Sequence, residues 1–200
     1  MTKARWILAL AFLFSSLCVT IASAQVPLVP KPRFSIEAGP HFAALIGDGS
    51  PSYSEPKIGF AAGAEVSFVP KNIGFQSGLL YVQKGCGISS GAKYNLNYLV
   101  IPMMLRINMV PPVVKVKPHF LLGPELGFLM GANIKHNGNS TDIKDSLKGF
   151  DPGIRSAFGV DVANITCSIN VAFGLSSIYE AAGAPACHNI SWGLMVGGNF

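Results

Sequence analysis

The chain has 200 residues, half of them apolar and only 12% charged, with a formal net charge of +5. So few charges are unusual for a surface that faces water on all sides, and the scattered Lys and Arg form no basic run and no aromatic-basic interleaving, which argues against a nucleic-acid partner. The length suits one domain, and beyond the N-terminal segment no apolar run is long enough for a membrane helix: the best stretch, 120–132, is broken by Gly123, Pro124, Glu125 and Gly127.

Residues 1–24 read as a cleaved secretory signal peptide. Lys3 and Arg5 give a basic start, Trp6 to Phe14 open an apolar stretch reaching about Ile21, and Ala22-Ser23-Ala24 is a small-residue cleavage site before Gln25. Removing this segment takes the two charges of Lys3 and Arg5 and leaves +3. Residues 25–32, with Pro27, Pro30 and Pro32, form an extended lead-in, and the folded domain is expected over 33–200.

Strands are predicted at 33–45, 57–69, 73–84, 95–108, 117–131, 150–163, 166–180 and 189–200. Each alternates with period two, the signature of a strand rather than a helix. Phe34, Ile36, Ala38, Phe42 and Ala44 alternate with Ser35, Glu37, Gly39 and His41. Phe120, Leu122, Leu126, Phe128 and Met130 alternate with His119, Gly123, Glu125 and Gly127. In the last segment Ile190, Trp192, Leu194, Val196 and Phe200 oppose Ser191, Gly193, Gly197 and Asn199, and a lipid-facing Phe in such a place is common in outer-membrane barrels.

A soluble barrel or sandwich also alternates, with its bulky face inward. Here the other parity carries Glu37, Glu65, Lys84, Arg106, Glu125, Arg155 and Asp161 among Gly and Ser. A barrel this small cannot bury every bulky side chain of eight strands, whereas lipid accepts any apolar shape. The expected fold is therefore an all-β, eight-stranded, antiparallel, up-and-down transmembrane β-barrel in a bacterial outer membrane, with outer-membrane lipid as its first partner. The odd-numbered connections, 46–56, 85–94, 132–149 and 181–188, are generally longer than 70–72, 109–116 and 164–165. Short turns are periplasmic in such barrels, so both termini are expected in the periplasm.

The seven inward charges are expected to form a structural polar network that plugs the barrel, with His41 and His119 nearby, since isolated buried ions are very costly. A gated ion path is the alternative, and an eight-stranded barrel leaves little room for one. A rim enzyme acting on lipid would need a Ser, a His and an acid together. His41 lies toward the outer end of the first strand with Asp48, Ser50 and Ser52 in the following loop, and nothing in the pattern gathers them. No catalytic residue, cofactor or metal site is assigned.

Cys86, Cys167 and Cys187 lie beyond the signal. Cys86 and Cys187 both fall in connections on the longer-loop side and are candidates for one disulfide, while Cys167 has lipid-facing parity and reads as a small apolar residue. The polar segment 132–149 is expected to be a solvated recognition loop, and Asp145-Ser146-Leu147 within it is similar to the acceptor triplet for O-glycosylation in Bacteroidetes.

Three stretches carry a family likeness: Gly78-Leu79-Leu80-Tyr81-Val82-Gln83-Lys84-Gly85, then Tyr98-Leu99-Val100-Ile101-Pro102-Met103-Met104-Leu105-Arg106, then Pro118-His119-Phe120-Leu121-Leu122-Gly123-Pro124-Glu125-Leu126-Gly127. Together they resemble the PorT-like outer-membrane β-barrel family, common in Bacteroidetes, with its Tyr-x-x-Lys-Gly, Tyr-Leu-Glu-Ile-Pro and Gly-Pro strand motifs. Val100 stands where that family often has Glu, which removes an interior acid and points Arg106 to Glu125 or Glu65. The resemblance implies a barrel with a structural or interaction role, presenting loops or serving as an accessory subunit of an envelope or secretion complex. A small-solute pore and a lipid-modifying enzyme are the alternatives.

Overall fold

The computed structural model describes residues 31–51, 54–89, 91–109, 115–180 and 185–200. The expected signal peptide and most of the expected lead-in lie outside these residues, as do Ser52, Pro111 and Pro112. The described strands are β1 Arg33–Ile46, β2 Ser54–Phe68, β3 Ile73–Ile88, β4 Lys93–Asn108, β5 Val116–His136, β6 Asn139–Asp142, β7 Phe150–Val162, β8 Ile165–Gly174 and β9 His188–Asn199, with one short 3-10 turn at Lys144–Ser146.

Eight of these strands form a closed antiparallel barrel in the order β1, β2, β3, β4, β5, β7, β8, β9. The seam is a full β1–β9 ladder in which Phe42 faces Trp192 and Ala44 faces Ile190, extended by paired backbone hydrogen bonds between Phe34 and Phe200. Closure leaves no exposed edge, which a membrane-spanning sheet requires because lipid offers no partner for backbone groups. The remaining strand, β6, pairs only with the end of β5 beyond the barrel.

Alternation sets which side each residue takes. In β1 Phe34 and Ile36 are exposed while Ser35, Glu37 and His41 are buried. Among the described residues 28 large apolar side chains are exposed, from Phe200 at 79% to Trp192 at 36%. They ring the barrel as a continuous apolar wall, far larger than a soluble monomer displays. Phe42 and Trp192 stack on that wall with ring centroids 6.0 Å apart.

Three boundaries differ from the sequence expectation. The hairpin β3–β4 runs longer, so the expected connection 85–94 shrinks to 89–92. Gly85 adopts φ +117° yet keeps its pairing with Asn95, carrying the ladder past a Lys-Gly step that reads as a turn. Cys86 consequently lies within β3, facing inward, and not in a connection. The segment 132–149 is not a free loop. β5 continues to His136, turns through Asn137 (φ +48°) and Gly138 (φ +82°), and returns as β6. Two consecutive positive φ values define the tight hairpin turn that Asn-Gly favours. Finally β8 stops at Gly174, because 175–180 bends across the barrel mouth.

The long connections 47–53, 137–149 and 175–187 share one end, here the loop end. The opposite, turn end carries 69–72, 109–115 and 163–164. At the loop end two connections zip together: Leu147 bridges Tyr179, Lys148 N–H donates to the Ile178 carbonyl at 2.8 Å, and Ile178 N–H donates to the Cys187 carbonyl at 2.8 Å. Leu147 and Ile178, 5% and 2% exposed, thus cap an apolar layer containing Leu45, Leu80, Val82, Leu96, Val100 and Leu129.

Candidate functional site: the charged barrel interior

Glu37, Glu65, Lys84, Arg106, Glu125, Arg155 and Asp161 are all buried inside the barrel, none more than 9% exposed. Six of them divide into two clusters stacked along the axis, and Glu37 lines a small cavity together with Glu65, His119 and Arg155.

The cluster nearer the turn end centres on Asp161 of β7. Its Oδ2 accepts from Arg106 Nη2 at 2.6 Å and from Arg33 Nη1 at 2.6 Å, and its Oδ1 accepts from the Thr166 hydroxyl. Asn199 Nδ2 donates to Thr166 Oγ1 at 2.7 Å, tying the β8–β9 wall to the same hub. His119 Nδ1 lies 3.7 Å from Asp161 Oδ1. Arg106 does not pair with Glu125 or Glu65 as expected. Its Nη1 donates to Gln76 Oε1 at 2.7 Å, and Gln76 Nε2 donates to Glu65 Oε2 at 2.6 Å. One amide therefore relays between the guanidinium and the carboxylate, because the register places Gln76 of β3 between them.

The deeper cluster centres on Glu125 of β5. Lys84 Nζ donates to Glu125 Oε1 at 2.9 Å and lies 3.7 Å from Asp151 Oδ2, while Arg155 Nη1 stands 3.6 Å from Glu125 Oε2. Asp151 also accepts from Asn189 Nδ2 at 2.8 Å. The Lys84 ammonium sits 5.2 Å from the centre of the Tyr98 ring, whose hydroxyl accepts from Asn189 Nδ2 at 3.3 Å. Tyr98 thus forms the floor of the apolar cap and the roof of the charges. Asp151 was missed in the sequence, although it shares parity with Arg155 and Asp161.

His41 lies beside the Glu125 cluster, facing Arg155, Lys84 and Glu125, 1% exposed and with neither ring nitrogen hydrogen-bonded among the described residues. It fits only because position 193 opposite is Gly: a Cβ there would stand 2.8 Å from His41 Nδ1. Asn170 Oδ1 and Ser191 Oγ are likewise without a protein partner, and buried atoms of this kind are where internal water binds. A cavity of about 20 Å³ beside Glu37, Glu65, His119 and Arg155 has room for about one water.

The rim candidates for catalysis do not converge. His41 is inside, Asp48 is exposed, and the Ser50 hydroxyl donates to the Gly47 carbonyl at 2.7 Å. Among the described residues no group of three His, Cys, Asp or Glu is arranged to hold a metal ion. Cys86 and Cys187 are both buried thiols in the apolar cap, and Cys167 is an exposed thiol on the lipid-facing wall. Val100 is fully buried in the same cap, so an apolar residue there extends the dry layer where an acid would have extended the network.

Comparison with known proteins finds solved barrels and one family model. Neisserial surface protein A (NspA) is similar over 84% of this chain and 97% of its own, at 13% identity and a TM-score of 0.52. Ail, the attachment invasion locus protein of Yersinia pestis, aligns over 86% of this chain and 100% of its own, at 15% identity and a TM-score of 0.49. The N-terminal β-barrel domain of Pseudomonas aeruginosa OprF aligns over 83% and 97%, at 10% identity and a TM-score of 0.38. No curated protein matches significantly. The family model for the outer membrane protein beta-barrel domain matches residues 25–180, most of the chain, and the protein belongs to that outer-membrane family.

Proposed function

We propose that this protein is a non-catalytic, plugged barrel that acts through its loop end, as a surface-exposed or accessory component of an envelope complex, with both termini in the periplasm. The observation that carries this reading is the filled lumen. Two ion-pair clusters occupy its length, about one water's volume lies between them, and Leu147 and Ile178 close the mouth above. Such an interior supports a scaffold better than a conduit. The motifs around Lys84, Arg106 and Glu125 favour a PorT-like member, and with it a role beside envelope proteins. The structural network is Glu37, Glu65, Lys84, Arg106, Glu125, Arg155 and Asp161.

The deciding experiment is a pull-down from native membranes in mild detergent, with partners quantified against an unrelated barrel, run beside solute flux in liposomes. A stoichiometric envelope protein with flux at background is the expected result. Flux well above an empty-liposome control would overturn the plugged reading and make the protein a pore. Orientation is checked by placing a cysteine at Ser140 in a chain lacking the native cysteines. Labelling by an impermeant maleimide in intact cells is expected, and labelling only after lysis would reverse the topology.

A further inference from the structure

Most of the outer wall is apolar, and it changes character near the loop end of β2–β5. There a groove of about 810 Å³ is lined by Lys57, Lys93, Lys135, Gln83, Asn95 and Glu55. Its volume lies in the range of small-molecule sites. The three lysines come from three strands. Lys93 and Lys135 stand directly opposite each other in the β4–β5 ladder, and Lys57 lies within electrostatic reach of both. Like charges at directly opposed positions destabilise a sheet. None of the three makes an ion pair among the described residues. The partner of Lys57 Nζ is a backbone carbonyl, that of Lys84, at 3.4 Å. The only acid among the described lining residues, Glu55, accepts from the Ser89 hydroxyl at 2.9 Å. Three ammonium groups against one carboxylate leave the groove with an excess of positive charge.

Its position says what kind of anion belongs there. Immediately toward the barrel middle the wall turns apolar, with Ile58 at 71% exposure, Leu79 at 48%, and Phe60 against Tyr81 at a ring-centroid distance of 6.1 Å. The lysines thus stand where hydrocarbon gives way to headgroups, the level at which amphipathic and basic side chains gather. A ligand spanning this step has acyl chains below and phosphate oxygens above. Ammonium groups recognise phosphate as compact point charges, requiring no planar match.

We propose that the groove formed by Lys57, Lys93 and Lys135 on the outer wall binds the phosphorylated headgroup of a lipid in the leaflet at the loop end. Assigning that leaflet to the cell surface rests on the proposed orientation, whereas the binding does not. The lipid phosphate relieves the Lys93–Lys135 repulsion and seats the barrel at a set depth.

The test uses the full folded barrel in zwitterionic micelles and native mass spectrometry. The probes are a diphosphorylated disaccharide glycolipid, its dephosphorylated counterpart and inorganic phosphate. One phosphorylated lipid is expected to remain bound, with the dephosphorylated form and the K93Q/K135Q variant each about tenfold weaker. Since this variant removes a like-charge pair, it should keep the heat-modifiable migration of a folded barrel. A second measurement needs no variant: the phosphorylated lipid should shield Lys93 and Lys135 of the native protein from acetylation while leaving Lys148 reactive. Equal binding of both lipids, or unchanged binding by the variant, overturns the proposal. Equal shielding by inorganic phosphate also overturns it, assigning the groove to a free anion. Because micelles have no sidedness, a reversed topology would leave these results intact and count only against the orientation.

Discussion

Replacing Lys84 with Met tests whether the interior is a charge-balanced plug. In the deeper cluster Lys84 and Arg155 balance Glu125 and Asp151, and all four are at least nine-tenths buried. Removing the ammonium leaves one negative charge that water cannot reach. At a separation of 2.9 Å the Lys84–Glu125 attraction is about 6 kcal/mol gross at an effective dielectric near 20. Desolvation of the ammonium offsets part of this, and breaking a buried pair typically costs about 3–5 kcal/mol. Arg155, 3.6 Å from the same carboxylate, softens the loss, so about 3 kcal/mol is expected for K84M and similarly for E125M. The double variant K84M/E125M restores one charge of each sign and should cost at least about 2 kcal/mol less than the sum of the two. The assay is urea unfolding in lipid vesicles followed by the fluorescence of Trp192, the only tryptophan among the described residues, which sits on the lipid-facing wall. Additive costs, or single variants within about 1 kcal/mol of the parent, would falsify the balanced-plug reasoning.

Further outcomes follow from the wall and the cap. Leu122, 47% exposed on the lipid-facing side, should cost about 2–4 kcal/mol when replaced by Arg, and a change near zero in the same assay would mean that the inner and outer faces are exchanged. Two glycines of β5 should behave oppositely on substitution by Ala. A Cβ at Gly123 would meet the Met103 carbonyl oxygen at 2.0 Å, a backbone clash expected to cost about 2 kcal/mol or more, whereas at Gly131 the nearest atom is 4.0 Å away and the cost should stay within about 0.5 kcal/mol. Equal costs would argue that strand spacing around Gly123 is looser than described. Burial and the neighbouring Cys86 push the Cys187 thiol up to about 11, so at pH 8 only about one molecule in a thousand carries the reactive thiolate. Maleimide should spare Cys187 in the folded barrel and modify it after unfolding. Rapid labelling of Cys187 in the folded state would show that the cap is open.

Side-chain parity made the barrel legible. A period of two is a local property, and a single strand such as β1 shows both faces: Phe34 and Ile36 outward, Glu37 and His41 inward. The same rule assigns Asp151 to the interior beside Arg155 and Asp161. Pairing between charges was not legible, because it depends on how each strand is offset from the next. Arg106 reaches Asp161 and Gln76, and only through Gln76 does it touch Glu65. The cap was hidden for another reason. Leu147 and Ile178 lie in connections with no regular apolar period, and their burial arises only when 143–149 and 175–180 meet across the mouth. The lysine groove escaped notice because Lys57, Lys93 and Lys135 are scattered in the sequence and become neighbours only through the β4–β5 ladder and the curvature of the wall.

The two ion-pair clusters differ in how far water can weaken them, and this sets their roles. The Asp161 hub opens at the turn end onto a cavity of about 260 Å³ lined by Arg33, Arg106 and Asp161 themselves, and the Arg33 side chain is 32% exposed. Water reaching those guanidinium groups screens the pairs, as it does for surface ion pairs. The Glu125 cluster has Tyr98 and the Leu147–Ile178 cap above it, so its charges interact at lower dielectric and tolerate no imbalance. A lumen wet at one end and dry at the other is sealed twice by different physics. Opening the cap alone still leaves Lys84, Arg155, Glu125 and Asp151 locked across the bore, and removing those charges alone still leaves the apolar layer. For that reason substitutions in the loop-end connections are expected to leave the bore closed.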